Sequence, residues 1–452
     1  MPAAQYGLSS YKRGRGGLPE LPVVNMFAAE APTETNGVAL LSRPGLADRS
    51  ADMGSGPVAG LFQADGVLTG QLFGVSNGIL YEGTTSLGGV GGGPVSWGGF
   101  SDQVFVNAGG DIFSYDSTVF GPLSMPDGQS VLAIATGSSR LLAIAAGSQT
   151  FFWSNSLTEF IDGLSFATAE SSPDNLRDIL YMDDAAILFG AETVEFWPNT
   201  GDNELPFQPL EGRVIERGIR NTGACCHIGP SFAWVTNENQ VCVQSEDNVI
   251  SNTGLQTRIE ASTGCTLFRF TMEGDEFLAL RLDDETQIYS RRSGSWSEFQ
   301  THGMDNWVAQ CWAGGVFGGS DGATYEWSDA HEDDAAVDGV MERRFRAGFP
   351  VDSAGLVVGN VSLRTNPGMT PYLAGNYADP VVEIRQSRDA GNTWGSWKAQ
   401  ALGEAGEYRR KVQWRALGMA SQPGWFGEFR VTAPVDFRVS GVFVNEPYAG
   451  RT

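Results

Sequence analysis

One local pattern recurs along this chain and limits what it can fold into: an apolar strand, a short polar turn, then a strand with aromatic or alternating character. Residues 186–197 (AILFGAETVEFW) show it most plainly. β-branched and aromatic residues favour a pleated, half-buried surface, while Gly, Asn, Asp and Ser favour the turn. Earlier copies are residues 72–81 (LFGVSNGILY), 104–115 (VFVNAGGDIFSY) and 141–153 (LLAIAAGSQTFFW). Later ones are residues 232–243 (FAWVTNENQVCV), 277–289 (FLALRLDDETQIY) and 316–327 (VFGGSDGATYEW). The seven copies start at intervals of roughly 32 to 46 residues. A period of ~40–45 residues with four strands per unit marks a β-propeller blade. One small sheet cannot bury both its faces, so blades stack around an axis and bury each other. The repeat predicts six or seven blades. The Trp residues at 97, 153, 197, 234, 296, 307, 312 and 327 then read as wedges between blades.

At 452 residues the chain exceeds one compact core of ordinary size. The expected division is an extended arm over residues 1–37, a propeller over 38–335 and an antiparallel β-sandwich over 336–452, all of it β. The strand around 38–41 is expected to close the last blade, because an open ring leaves bare strand edges. The Gly-rich stretch 88–99 reads as a loop between the first two blades. The acidic run 329–338 (DAHEDDAAVD) reads as a linker or exposed loop. Beyond it, strand candidates at 340–347, 356–364, 381–386, 397–401, 408–414, 427–432 and 437–444 suit a sandwich. Residues 367–380 read as a long loop. No stretch carries the apolar spacing of a long amphipathic helix.

The formal charge is −24, and Lys12, Lys398 and Lys411 are the only lysines. Such a chain has few cations with which to displace counterions from a polyphosphate backbone, so broad nucleic-acid binding is not expected. No run of ~18 apolar residues suggests a membrane span. Residues 1–22 lack the apolar core of a secretory signal. Cys225, Cys226, Cys242, Cys265 and Cys311 follow no scaffold spacing and read as reduced, mostly buried residues. The arm has one basic cluster, Tyr11, Lys12, Arg13 and Arg15, a candidate for docking on an acidic neighbour.

Ser387, Asp389, Gly391, Thr393 and Trp394 match S-x-D-x-G-x-T-W, the Asp-box. Its mechanics are those of a turn: the short polar side chains bond their own backbone, Gly supplies positive φ, and Trp packs the turn on the sheet. Sialidases repeat this box on several blades, away from their active sites; here it occurs once, in the second domain. A propeller glycosidase needs paired carboxylates or a Tyr nucleophile with an acid. Asp183, Asp184, Glu192 and Glu195 can be offered, but 53 acidic residues make such pairs common by chance. Cys225-Cys226-His227 cannot easily share one metal ion, since neighbours on a strand point to opposite faces. His302 and His331 are isolated. No catalytic, metal or cofactor set is marked.

The chain resembles the tail-nozzle or tail-hub proteins of short-tailed bacteriophages, also known as packaged-DNA stabilisation proteins. The passages that carry the likeness are residues 21–26, Arg43-Pro44-Gly45-Leu46, residues 189–201 with Pro206-Phe207 and Ile215-Glu216-Arg217-Gly218, and residues 381–414. In the last, the Asp-box leads on to Leu402-Gly403, Gly406, Tyr408, Arg409 and Trp414. The resemblance implies a structural virion protein of the tail, made in the bacterial cytoplasm. It implies a homohexameric ring beneath portal and adaptor, extending the channel through which DNA leaves. Relatives also receive a needle or plug and fibres or tailspikes; neither a cofactor nor membrane insertion is implied. Two other readings stay open: a sialidase-like carbohydrate-active propeller, and a monomeric binding module.

Overall fold

The chain folds as a β-propeller followed by a β-sandwich. The computed structural model describes residues 3–12, 20–34, 37–49, 52–169, 173–210, 212–328, 333–334, 339–352, 354–369 and 377–446. Six separate four-stranded sheets and a further four-strand unit, Thr266–Met272 to Ser295–Phe299, form the seven blades. Each of the seven sequence hairpins is the middle pair of a blade. In blade one, for instance, Phe73–Ser76 and Ile79–Glu82 lie between Val58–Phe62 and Thr85–Gly89.

The first strands line the axis, where Val131–Gly137 packs beside Leu176–Met182 and Ser96–Phe100 beside Val131–Gly137. Several of them are bulged, between Val58 and Gly60, Val131 and Ala133, Leu176 and Asp178, and Ala309 and Cys311. A bulge increases local twist, which suits strands crowded around an axis. Core clusters form between neighbouring blades. Phe151, Trp153 and Leu142 of blade three meet Ile179, Leu188 and Trp197 of blade four in one such cluster. Close approach has a local requirement: a Cβ on Gly137 would stand 2.1 Å from the Tyr181 ring of the next blade.

Blade seven closes the ring with a strand from early in the chain, as expected, but with a different one. Gly45–Asp48 pairs with Thr324–Ser328, setting Leu46 opposite Trp327. The candidate at 38–41 instead lies in Val38–Ser42, which pairs with Met26–Glu30 and Arg438–Val444 in the sandwich. VALL has the better strand composition, but the ring takes the segment whose position brings it to the open edge. The Gly-rich stretch 88–99 is a loop only over 90–95, since Thr85–Gly89 and Ser96–Phe100 are strands. One α-helix, Thr253–Ala261, follows blade five; Asn252 caps it by accepting from the Leu255 N–H at 2.9 Å.

One sandwich sheet runs Val23–Val24, Arg343–Pro350, Gly424–Val431, Val381–Ser387, Lys398–Ala401. The other runs Met26–Glu30, Val38–Ser42, Arg438–Val444, Leu356–Thr365, Val412–Ala420. Ala3–Tyr6 pairs with Arg343–Pro350 and with Arg438–Val444, tying the two sheets. The segment expected as an arm is therefore extended but woven in: Ala4, Tyr6, Val23, Met26 and Ala28 belong to the sandwich core with Trp425, Phe429 and Val442.

Candidate functional site: the propeller–sandwich junction and the sandwich surface

Val23–Val24 joins the two domains through backbone. It pairs with Arg343–Pro350 on one side and, at Val24, with Glu298 of blade six on the other. Beside it lies a buried polar knot. Arg43, fully buried, donates through Nη1 to Asp334 Oδ1 at 2.8 Å and through Nη2 to Asp334 Oδ2 at 2.5 Å. Its Nε donates to Asn25 Oδ1 at 2.9 Å, and its Cζ lies 5.4 and 5.8 Å from the ring centroids of Phe299 and Trp307. Asn25 Nδ2 donates to the carbonyls of Gln300 and Glu342, and Asp334 Oδ1 also accepts from Leu46 N–H. A buried ion pair survives only with such complete hydrogen bonding. Asp334 comes from the acidic run expected as an exposed linker, yet it is fully buried. This is the physical role of Arg43-Pro44-Gly45-Leu46: it fixes the crossing from sandwich to ring-closing strand. Sequence reasoning saw the motif and missed the knot, because its partner lies 291 residues away.

Of the basic cluster, Tyr11 and Lys12 lie beside the same junction. Tyr11 and Leu21 exchange backbone hydrogen bonds of 3.1 and 2.8 Å. Lys12 Nζ lies 2.9 Å from both Glu285 and Glu298 of its own blade six. Burial pulls the Lys12 pKa down, but Glu298 and Glu285 outweigh it and hold it above its ordinary value. Arg258 shares Glu285. Lys12 is thus engaged within its own chain; Arg13 and Arg15 lie outside the described residues.

The Asp-box folds as its residues require. Asp389 Oδ1 accepts from Thr393 N–H at 2.8 Å and from Ser387 Oγ at 2.7 Å, and Asp389 Oδ2 accepts from Thr393 Oγ1 at 2.7 Å. The Thr393 backbone and side chain, then Ser387, hold the Asp389 pKa down at about 2. Gly391 has φ +87° and donates to Ser387 Oγ. Trp394 Nε1 donates to the Gly391 carbonyl at 3.1 Å. Outward from this turn runs an Arg–Trp ladder. Arg346 and Arg385 lie 4.6 and 5.2 Å from the Trp394 ring, and Arg385 and Arg430 lie 4.7 and 4.1 Å from Trp397. Buried Glu428 pairs with Arg346 at 2.9 Å and with Arg385. The turn positions a charged sheet face.

The carboxylates weighed for glycosidase chemistry hold structural partners. Glu195 is buried and accepts from Trp197 Nε1 at 2.9 Å. Asp184 accepts from Ser138, Tyr181 and Asn199, and the Ser138 and Tyr181 hydroxyls hold its pKa down. Glu192 accepts from Asn237 at 3.1 Å, and Asp183 sits at φ 52° in the hairpin turn. Cys225, Cys226 and His227 occupy one strand of blade five, opposite Trp234, Ala233 and Phe232. Burial pushes the Cys226 thiol up to about 12. All five cysteines carry reduced thiols. Among the described residues no cluster of His, Cys, Asp and Glu could hold a metal ion, and no helix is long and apolar enough to cross a membrane. His302 stands alone; His331 lies outside the described residues.

Among solved structures the chain is similar to BamB from Moraxella catarrhalis, at 13% identity and a TM-score of 0.34, over 64% of this chain and 99% of that one. It is also similar to the β-propeller domain of Cps50 (Swd1) from Myceliophteria thermophila, at 8% identity and a TM-score of 0.39, over 63% of this chain and all of that one. Likenesses this distant carry no functional argument. No curated protein matches the sequence. Two family profiles match: "Bacteriophage P22 Gp10, beta-propeller" over residues 18–310 and "Bacteriophage P22 Gp10, beta-sandwich" over residues 344–446. With propeller and sandwich matched in that order, the chain belongs to the bacteriophage P22 Gp10 family and is a structural protein of a phage tail.

Proposed function

We propose that this chain is the subunit of a homohexameric tail nozzle or hub of a short-tailed phage, set below portal and adaptor, that carries genomic DNA outward and bears fibres or tailspikes. It works as a rigid part, without catalysis or cofactor. The observation that carries this reading is the junction. Two domains joined by a shared strand and a fully buried Arg43–Asp334 pair make one stiff body. A closed ring needs such stiffness, because a heterologous contact closes at a fixed number only when its angle is fixed. Charge supports the channel role. Residues 1–338 hold 15 Lys and Arg against 43 Asp and Glu, a net −28. A wall of that sign repels phosphates and lets a duplex slide, within the ~8–10 Å reach of screening at physiological salt. Lys12 stands beside blade six, and the docking candidates Tyr11, Lys12, Arg13 and Arg15 belong, on this reading, to a contact with a neighbouring tail protein.

Native mass spectrometry of the purified full chain tests the proposal. A six-chain mass is expected; a stable monomer at every concentration contradicts it. A six-chain particle whose lumen is lined by Arg clusters contradicts the channel part alone.

A further inference from the structure

Charge is divided between the domains more sharply than the total of −24 suggests. Residues 45–338, which hold the blades, carry 11 Lys and Arg against 40 Asp and Glu, a net −29, whereas the rest of the chain, which holds the sandwich strands, carries 18 against 13, a net +5. The cations of the sandwich also gather. Lys398–Ala401 and Val412–Ala420 are the last strands of the two sheets, each paired on one side only. They meet where Trp414 Nε1 donates to the Lys398 carbonyl at 2.9 Å. Between them lies an open groove of about 560 Å³ lined by Lys398, Lys411 and Arg415 with Gln400 and Gln413. Two of the chain's three lysines are here. Glu446 stands 3.5 Å from Lys411, and Arg415 bonds the neutral Gln413; among the described residues no carboxylate pairs with Lys398. Exposed apolar side chains stand nearby: Met419 (56%) on the edge strand Val412–Ala420, Tyr408 (65%) just before it, and Val381 (41%) on the neighbouring strand opposite Ala401.

The complement lies across the propeller. The turns between third and fourth strands of blades two, three and four carry Asp116, Glu159, Asp162, Asp202 and Glu204. Arg213, at the end of the last of these turns, stacks 4.3 Å from the Phe196 ring. From residue 52 to 169 there are nine carboxylates and one cation, Arg140, which is buried against the Ser154 carbonyl. The same turns expose Val119 (66%), Leu157 (72%), Leu164 (86%) and Leu205 (54%). Apolar patches rimmed by charge mark protein contacts. The sandwich is welded to blade six, three places around the seven-blade ring from blade three. The basic groove and the acidic rim therefore lie on different domains of one rigid body, and a head-to-tail contact joins two such unlike surfaces.

We propose that these two surfaces are halves of one interface: the sandwich groove of one copy seats on the outer turns of blades two to four of the next copy. The inference rests on the ring reading above and adds the faces and the forces that close it. Edge-strand lysines also deter strand pairing between molecules, and that role alone would leave assembly unchanged by charge exchange.

The test is sedimentation of the full-length chain in three forms beside wild type. One carries Lys398→Glu, Lys411→Glu and Arg415→Glu; the second carries Asp116→Lys, Glu159→Lys and Asp162→Lys; the third carries all six. These side chains stand at the surface or in surface turns, and circular dichroism confirms that each form is folded. Each three-site reversal is expected to weaken association roughly 10²-fold or more, since juxtaposed like charges cost several kcal/mol. The six-site form is expected to recover it, because both halves have changed sign together. Wild-type association should also weaken as salt rises from about 0.05 to 0.5 M. A wild-type monomer overturns both this inference and the ring reading. A wild-type ring that neither reversal disturbs overturns this inference and leaves the ring standing. Loss in both reversals without recovery in the six-site form overturns the pairing of these two faces.

Discussion

The propeller and the sandwich solve the same problem, burying small sheets, in opposite ways. The propeller repeats one short-range solution: each blade folds from consecutive strands and packs on its neighbours, so its core is divided into clusters such as those between blades one and two and between blades three and four. The sandwich has one core built from distant parts of the chain, from Ala4 to Val444. The propeller tolerates local variation because no single blade decides the fold. The sandwich depends on long-range pairing, and it is there that the early strands are used. The difference also separates electrostatics, with acid on the repeated body and base on the composite one.

The sharpest way to break this comparison is at the knot where the two meet. Arg43→Ala leaves Asp334 buried without its partner, and stability should fall by about 3–5 kcal/mol. Because Arg43 links sandwich to ring closure, both domains should lose stability in a calorimetric scan; loss confined to one would mean that the junction does not couple them. A smaller and more local loss is expected from Asn252→Ala, which removes the side-chain cap of the helix after blade five and should cost about 1 kcal/mol. Denaturant titration would read it as a shift in midpoint without loss of the ring.

Two carboxyl groups sharpen the comparison through pH. Asp178, at the contact of blades four and five, accepts from the Gly223 N–H at 2.7 Å, and burial pushes its pKa up to about 6. The folded state holds its proton more tightly than the unfolded chain does. Its stabilising contribution is therefore full below about pH 4 and is lost as pH rises through about 6. Carboxyl-detected NMR should find it titrating near 6, and a midpoint near 4 would contradict the burial argument. Asp389 is the reverse case on the sandwich surface. With its pKa held at about 2, its contribution is present above about pH 4 and is lost as pH falls through about 2. Asp389→Asn should lower the melting temperature slightly at pH 7, and the gap from wild type should close at pH 2; a gap that persists there would mean that charge plays no part in the turn.

What the sequence made legible follows the same division. The middle hairpins of all blades could be read because alternation and turn residues are local signals. Outer strands such as Phe120–Leu123 and Phe166–Thr168 could not, since they are short and half-exposed and lack an apolar face. First strands were blurred where a bulge shifts the alternation, as at Leu176 and Asp178. The sandwich strands after residue 339 were found to within a few residues, except that 408–414 is displaced to Val412–Ala420, whereas the four that come from residues 3–42 were read as arm or propeller. The strand closing the ring was misplaced because Gly45–Asp48 pairs with residues nearly 280 positions away, and nothing in GLAD announces that. The Asp-box was legible as a turn, since its side-chain hydrogen bonds from Ser387 to Trp394 are local; its bridge from Asp389 to Gly424 and the Arg346 contact on Trp394 were not. Arg43 with Asp334, and the basic groove between two sheet edges, arise only from tertiary placement.

The proposed nozzle requires a stiff propeller–sandwich body that associates side by side into a closed tube. Electron microscopy of the purified full chain, with class averages viewed along the symmetry axis, decides this. The expected result is a six-fold ring around an open centre, with each sandwich lodged against the next propeller. Isolated discs with a sandwich at one edge, or open chains of variable length, would contradict it.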